Sequence, residues 1–157
     1  MTNAIIRAAQ PADLPQLIDL CAAHAAYEQC PYNRAGKAQQ LGALLFQDSP
    51  SIYCLVVEND HRLVGFATYM KQYATWDAAP YIYMDCLFLV EAARGFGYGE
   101  KLVRAIQQAA TQLGCSLIQW QTPDFNTRAI KFYYRVGATA KSKERFFLAA
   151  SFSGRPN

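Results

Sequence analysis

The period of the apolar positions changes several times along the chain. After Pro11, the residues Leu14, Leu17, Ile18, Cys21, Ala22 and Ala25 recur at i, i+3, i+4, i+7, i+8 and i+11, which is one face of an amphipathic helix. A short apolar run from Ala4 to Ala8 precedes it and reads as a strand, and a second helix is expected over Gly36 to Phe46. The runs Ser51 to Glu58 and Leu63 to Met70 are β-branched and aromatic, and the polar Asn59-Asp60-His61-Arg62 joins them as in a hairpin. Tyr81 to Val90 predicts another strand. Leu102, Ile106, Ala109, Ala110 and Leu113 then share a helix face that Gly114 should terminate. Ser116 to Gln121 predicts a strand, Thr127 to Tyr134 a short helix ending before Gly137, and Glu144 to Ala150 a last strand. A hairpin-rich first half followed by strand, helix, strand and helix argues for an α/β domain, with a mixed sheet flanked by helices.

Composition narrows the picture. A chain of 157 residues, 52% hydrophobic and 17% charged, can bury about two-thirds of its unfolded surface in a single core. We expect one domain over residues 1–151 and a frayed tail over 152–157. Ten Tyr and nine Phe exclude disorder over most of the chain. The longest apolar stretch, Ile82 to Ala93, is interrupted by Asp85 and Glu91, so no membrane span is expected, and no basic-then-apolar leader opens the sequence. Cytoplasmic placement is the resulting expectation. The five cysteines, Cys21, Cys30, Cys54, Cys86 and Cys115, are scattered, with only His24 and His61 as nitrogen ligands; this predicts reduced thiols and neither a disulfide framework nor a metal site. A net charge of +3 spread over the chain gives no nucleic-acid footprint.

The chemistry concentrates at Arg94-Gly95-Phe96-Gly97-Tyr98-Gly99, between a strand and a helix. Three alternate glycines let several backbone N–H groups converge on one anion at the positive end of a helix dipole, which points to a phosphate or pyrophosphate ligand. Arg94 adds a cation capable of two parallel hydrogen bonds. A tight β-to-α turn without a ligand is the alternative for an isolated glycine pair. Two nucleotide motifs fail: position 100 is Glu100 where a dinucleotide fingerprint needs glycine, and no Gly-Lys-Ser/Thr occurs.

This loop resembles the pyrophosphate loop of the GNAT superfamily of acetyl-coenzyme A-dependent N-acetyltransferases. The resemblance extends over nearly the whole chain. Val64-Gly65-Phe66-Ala67 is similar to the family's third strand, and Asn126-Thr127-Arg128-Ala129-Ile130-Lys131-Phe132-Tyr133 to its late N-x-x-A-x-x-F-Y motif. Ala26-Tyr27-Glu28, Tyr83-Met84-Asp85 and Glu144-Arg145-Phe146 resemble diamine (spermidine/spermine-type) and lysine-analogue acetyltransferases, although Cys86 stands where that subgroup usually has a second acid. The resemblance implies a mixed, mostly antiparallel sheet of six to seven strands with about four helices. It also implies acetyl-coenzyme A as co-substrate, a primary amine of a small molecule as acceptor, and a homodimer. A protein or peptide acceptor, and an acyl-coenzyme A-binding module without chemistry, are the alternatives.

Residue roles follow. Acetyl transfer needs a neutral amine, yet an alkylammonium titrates near pH 10.4, so a base must help. Asp85 interrupts an apolar strand, where it would share a face with Tyr83, Leu87 and Leu89 in surroundings that favour a raised pKa; a solvent-facing acid is the alternative. The resemblance assigns protonation of the leaving thiolate to Tyr133, whereas spacing alone does not choose between Tyr133 and Tyr134, and either could be packing. It implies that Leu87, Phe88 and Leu89 meet the pantetheine arm, that residues 94–100 through Glu100 hold the pyrophosphate, and that Asn126 touches the coenzyme. A helix N-cap is an equal local reading of Asn126. Tyr27, Glu28, Asp85 and Glu144 together would make an acidic, aromatic acceptor pocket, although Glu28 or Glu144 alone reads as a solvated charge. His24 is expected at the surface or in packing, Cys86 and Cys115 as buried strand residues, and Trp76 on a loop between strands.

Overall fold

The computed structural model describes residues 4–150. The expected tail over 152–157 lies outside them. Four strands, β1 (Ile5–Ala8), β2 (Tyr53–Asn59), β3 (Arg62–Ala74) and β4 (Ala79–Leu89), pair antiparallel in sequence order. A fifth, β5 (Ile118–Gln119), joins β4 in parallel through Ile82↔Ile118 and Tyr83↔Gln119. The helices are α1 (Leu14–Tyr27), α2 (Lys37–Leu45), α3 (Tyr98–Gln112) and α4 (Thr127–Arg135), supplemented by two short 3₁₀ turns.

The sheet is buried on both faces. Leu17, Leu20 and Leu45 of α1 and α2 cover Val56, Phe66 and Phe88 on one side. Tyr98, Leu102, Ile106 and Ala110 of α3 cover Val57, Ala67, Ile82 and Met84 on the other. Both groupings follow the predicted helical faces, because side chains three and four apart stack on one stripe while strand neighbours alternate.

Two expectations about strands are corrected. The described residues form five strands, not six to seven, and Glu144 to Ala150 is not among them. Residues 139–150 are exposed and carry no regular structure, with Phe146 91% and Leu148 97% accessible. Strand-like composition is not sufficient: a strand needs a partner edge, and β5 is only two residues long. Trp76 sits in the β3–β4 turn and is 99% exposed.

The second correction concerns Asp85. Thr68 pairs with Cys86 and Tyr69 with Met84, which leaves Asp85 as the extra residue of a β-bulge. A bulge reverses the alternation beyond it. Leu87 and Leu89 therefore pack with Met84 and Ile82 over α3, and Asp85 does not share their face as simple alternation predicts. Its side chain is exposed, not enclosed by apolar neighbours.

Gly65 explains how closely β3 and β4 approach. A Cβ placed there would lie 2.3 Å from Leu89 Cδ2 and 2.8 Å from the Phe88 carbonyl oxygen. Gly65→Ala should therefore cost about 1–3 kcal/mol, the range for overpacking a tight interior, measurable as a lower urea midpoint with an unchanged slope.

Candidate active site

The cavity forms where two parallel strands part. Beyond Tyr83↔Gln119 the β4–β5 pairing stops, while β4 continues to Leu89. Met84, Asp85 and Leu87 to Leu89 on one side and Trp120 to Thr122 on the other then line an opening of about 570 Å³, within the usual range of small-molecule sites. The N-terminus of α3, the end of α1 and the start of α4 complete its walls.

The glycine loop has the geometry that its spacing predicts. Gly95 and Gly97 have φ of +89° and +79°, a region that disfavours side chains, and a Cβ at either would meet nothing within 4 Å. Gly97 is the N-cap of α3, so the first N–H groups of a 15-residue helix face the cavity mouth at the positive end of its dipole. Tyr98 and Gly99 are buried, and a Cβ on Gly99 would press on the Phe132 ring at 3.3 Å. Glu100 lies in the first turn, where its carboxylate accepts a hydrogen bond from Arg104 at 3.2 Å. Phe96 is half-exposed, stacks on Tyr98 at 6.2 Å and does not line the cavity.

Arg94 turns away from the glycines. Its Nε donates to the Leu89 carbonyl at 2.9 Å, and its guanidinium lies 4.7 Å from the centre of the Tyr27 ring and 5.8 Å from that of Phe88. The Tyr27 hydroxyl in turn donates to Asn126 Oδ1 at 3.2 Å. Asn126 is also the N-cap of α4, accepting from the Ala129 N–H at 3.3 Å and donating to Thr122 Oγ1 at 3.3 Å. One wall is thus a continuous set of contacts linking the glycine loop, α1 and α4.

Tyr133 lies on the cavity wall, while Tyr134 is 56% exposed and outside it. Trp120 meets the Tyr133 ring edge-on at 5.1 Å. Burial pushes the Tyr133 hydroxyl up to about 12, and the negative charge of Glu28 adds to the effect. Glu28 and Asp85 also line the cavity. Glu144 is exposed and lies outside the lining.

Some lining residues carried little sequence signal. His24, expected in packing or at the surface, borders the cavity; its Nε2 is 3.1 Å from Glu28 Oε1, and its ring stacks on Phe88 at 5.2 Å. The four-residue spacing of His24 and Glu28 was the available clue. Trp120 and Thr122 line it from a segment without a distinguishing motif, and Arg128 lines it from an unspecified position of the N-x-x-A-x-x-F-Y motif.

Burial dominates the thiols. It raises Cys21 to about 11 and Cys54 and Cys86 to about 12, so these groups stay protonated and poorly nucleophilic at neutral pH. Cys115 is buried in the connection after α3, not on a strand. Cys21, Cys54, Cys86 and Tyr133 have folded values above their ordinary 9.0 and 10.0. The stability they provide is complete below pH 9 and lost as pH rises towards 12, because the unfolded chain releases protons that the fold retains. Chemical unfolding midpoints should therefore fall across pH 9 to 12; a flat profile would contradict the burial of these groups. Among the described residues, no helix is long and apolar enough to cross a membrane, and no group of three or more His, Cys, Asp or Glu is placed to hold a metal ion.

A β-bulge at the parting of two strands thus lies beside a glycine turn that opens a helix. Residues 17–138 match the acetyltransferase (GNAT) family, and the chain belongs to that family. It is an acetyl-coenzyme A-dependent N-acetyltransferase. It is 25% identical over 162 residues to the thialysine N-epsilon-acetyltransferase of Mus musculus, covering 98% of this chain and 95% of that protein. It is 29% identical over 146 residues to the spermidine/spermine N(1)-acetyltransferase-like protein 1 of Homo sapiens, covering 88% of this chain and 21% of that one. An aminoglycoside N-acetyltransferase solved in complex with CoA shares the fold, with a TM-score of 0.80 at 18% identity over 95% of this chain and 96% of its own.

Proposed function

We propose that the enzyme moves an acetyl group from acetyl-coenzyme A to a primary amine of a small cationic molecule, by direct attack with both substrates held in the cavity. The observation that carries this reading is the placement of a hydroxyl kept protonated to about 12, Tyr133, on the same cavity wall system as the acids Glu28 and Asp85. Names of two relatives, one for thialysine and one for spermidine/spermine, support an amine of this kind.

The residues fit the coenzyme. Open space above Gly95 and Gly97 would admit a pyrophosphate against the α3 N–H groups, and the edge of β4 at Leu87, Phe88 and Leu89, which β5 no longer covers, would pair with a pantetheine amide arm. Tyr98, Gly99 and Glu100 contribute the first turn, and Asn126 borders the arm from α4. Bound there, the coenzyme supplies an activated thioester carbonyl.

Tyr27, Glu28 and Asp85 would receive the acceptor, since carboxylates pair with an ammonium and a tyrosine face adds cation–π attraction. Asp85, freed by the bulge to face solvent and cavity together, takes the ammonium proton directly or through water. Nitrogen then forms its bond to the carbonyl carbon as the bond to sulfur breaks, and Tyr133 donates its proton to the departing thiolate.

A thiol-release panel tests this reading. Polyamines, lysine-like amino acids and aminoglycosides should release free thiol from acetyl-coenzyme A well above the no-amine background. Release with peptides alone would replace the small-molecule acceptor by a protein one, and no release with any amine would leave only a binding module.

A further inference from the structure

His24 is a cavity residue that the mechanism above leaves unused. Its side chain is 13% exposed, and it is seated between aromatic rings: it stacks on Phe88 at 5.2 Å with 23° between planes and meets Phe66 edge-on at 6.0 Å. Both phenylalanines belong to the core, Phe66 fully buried and Phe88 at 7% exposure. The imidazole is therefore fixed to the rigid sheet, although it belongs to the last turn of α1. From that seat Nε2 reaches Glu28 Oε1 at 3.1 Å.

Glu28 occupies a costly position. It is the C-cap of the 14-residue α1, with its N–H on the His24 carbonyl at 3.0 Å, so its carboxylate sits at the negative end of the helix dipole. Such a placement disfavours an anion unless a donor offsets it. It also concentrates negative potential beside Tyr133 on the cavity wall, which suits a cationic ligand and serves no evident packing purpose.

We propose that His24 is a positioning residue for the acceptor amine: it donates from Nε2 to one oxygen of Glu28 and holds the other oxygen towards the cavity to receive the ammonium. The inference rests on the assignment of Glu28 to the acceptor side. His24 moves no proton in it; its Nε2–H anchors the carboxylate, and the stacking on Phe88 fixes the direction. Phe88 thereby links the acceptor side to the coenzyme side, because the same ring also lies beneath Arg94.

The test uses the full chain with the best amine from the thiol-release panel. His24→Leu, which removes the donor, should raise the acceptor KM by about tenfold or more, the size of a lost hydrogen bond to a charged group, with kcat and coenzyme affinity little changed. His24→Gln, which keeps an N–H near the same place, should restore most of that loss. The wild-type proton spectrum should contain a hydrogen-bonded imidazole N–H from His24, distinguishable from the fully exposed His61, and Glu28→Gln should remove or shift it. An unchanged KM in His24→Leu, or equal damage in both His24 variants, would overturn the role of His24 while leaving acetyl transfer to amines intact. Absence of turnover with every amine in the wild type would instead overturn the acceptor reading beneath it.

Discussion

Tyr133→Phe should lower kcat by roughly 10²–10⁴, the range for a positioned proton donor, while coenzyme affinity and the unfolding midpoint change little. The ring packs on Trp120 and Phe132, and phenylalanine preserves both contacts. Only the hydroxyl proton is lost. Since that proton is held to about 12, donation from Tyr133 persists through neutral and moderately alkaline pH. An alkaline decline in wild-type kcat below about pH 11 must therefore come from another group, and it should survive in the variant. Wild-type turnover by Tyr133→Phe with a good acceptor would remove the residue from this role, and the exposed Tyr134 offers no replacement on the cavity wall.

Gly97→Val should abolish measurable coenzyme binding in calorimetry while leaving a folded protein. At φ +79° the substitution carries left-handed strain of about 1–2 kcal/mol, too little to unfold a typical domain. A Cβ built there meets no atom within 4 Å beyond its chain neighbours, so the side chain would enter the space assigned to the pyrophosphate. Gly114 supplies the control. It has a φ of +71°, equal freedom around a built Cβ, and a position at the far end of α3 outside the cavity. Gly114→Val should impose the same kind of strain with normal coenzyme affinity. If both variants bind normally, the glycine loop does not hold the pyrophosphate; if both lose binding, strain and not site geometry is responsible.

How much could be read beforehand depended on whether a feature was local. The helical stripes of α1 and α3, the β2–β3 hairpin and the glycine turn arise from neighbouring residues, and each lies within a few residues of its expected position. Asn126 acts as the helix N-cap that Thr127 suggested, because a cap needs only the next turn. Features set by distant partners were illegible. Asp85 sits in a bulge created by its register with Thr68 and Tyr69, and no pattern within β4 announces a missing partner. Glu144 resembled an acceptor residue through a short motif, yet its segment finds no sheet edge and stays away from the cavity. His24 reads from the sequence as a surface or packing residue, since its partners Phe66 and Phe88 approach only after β3 and β4 pair. Arg94 kept its expected place but points to Tyr27 and Leu89, a choice made by the cavity wall and not by the loop.

Direct attack within one cavity has a kinetic signature. Initial rates measured over a grid of acetyl-coenzyme A and amine concentrations should give intersecting double-reciprocal lines, with no acetylated protein trapped when the amine is omitted. Parallel lines, accompanied by an acetyl group on a cysteine in intact-mass spectra, would contradict the account, because they require a covalent intermediate that the protonated thiols Cys21, Cys54 and Cys86 argue against.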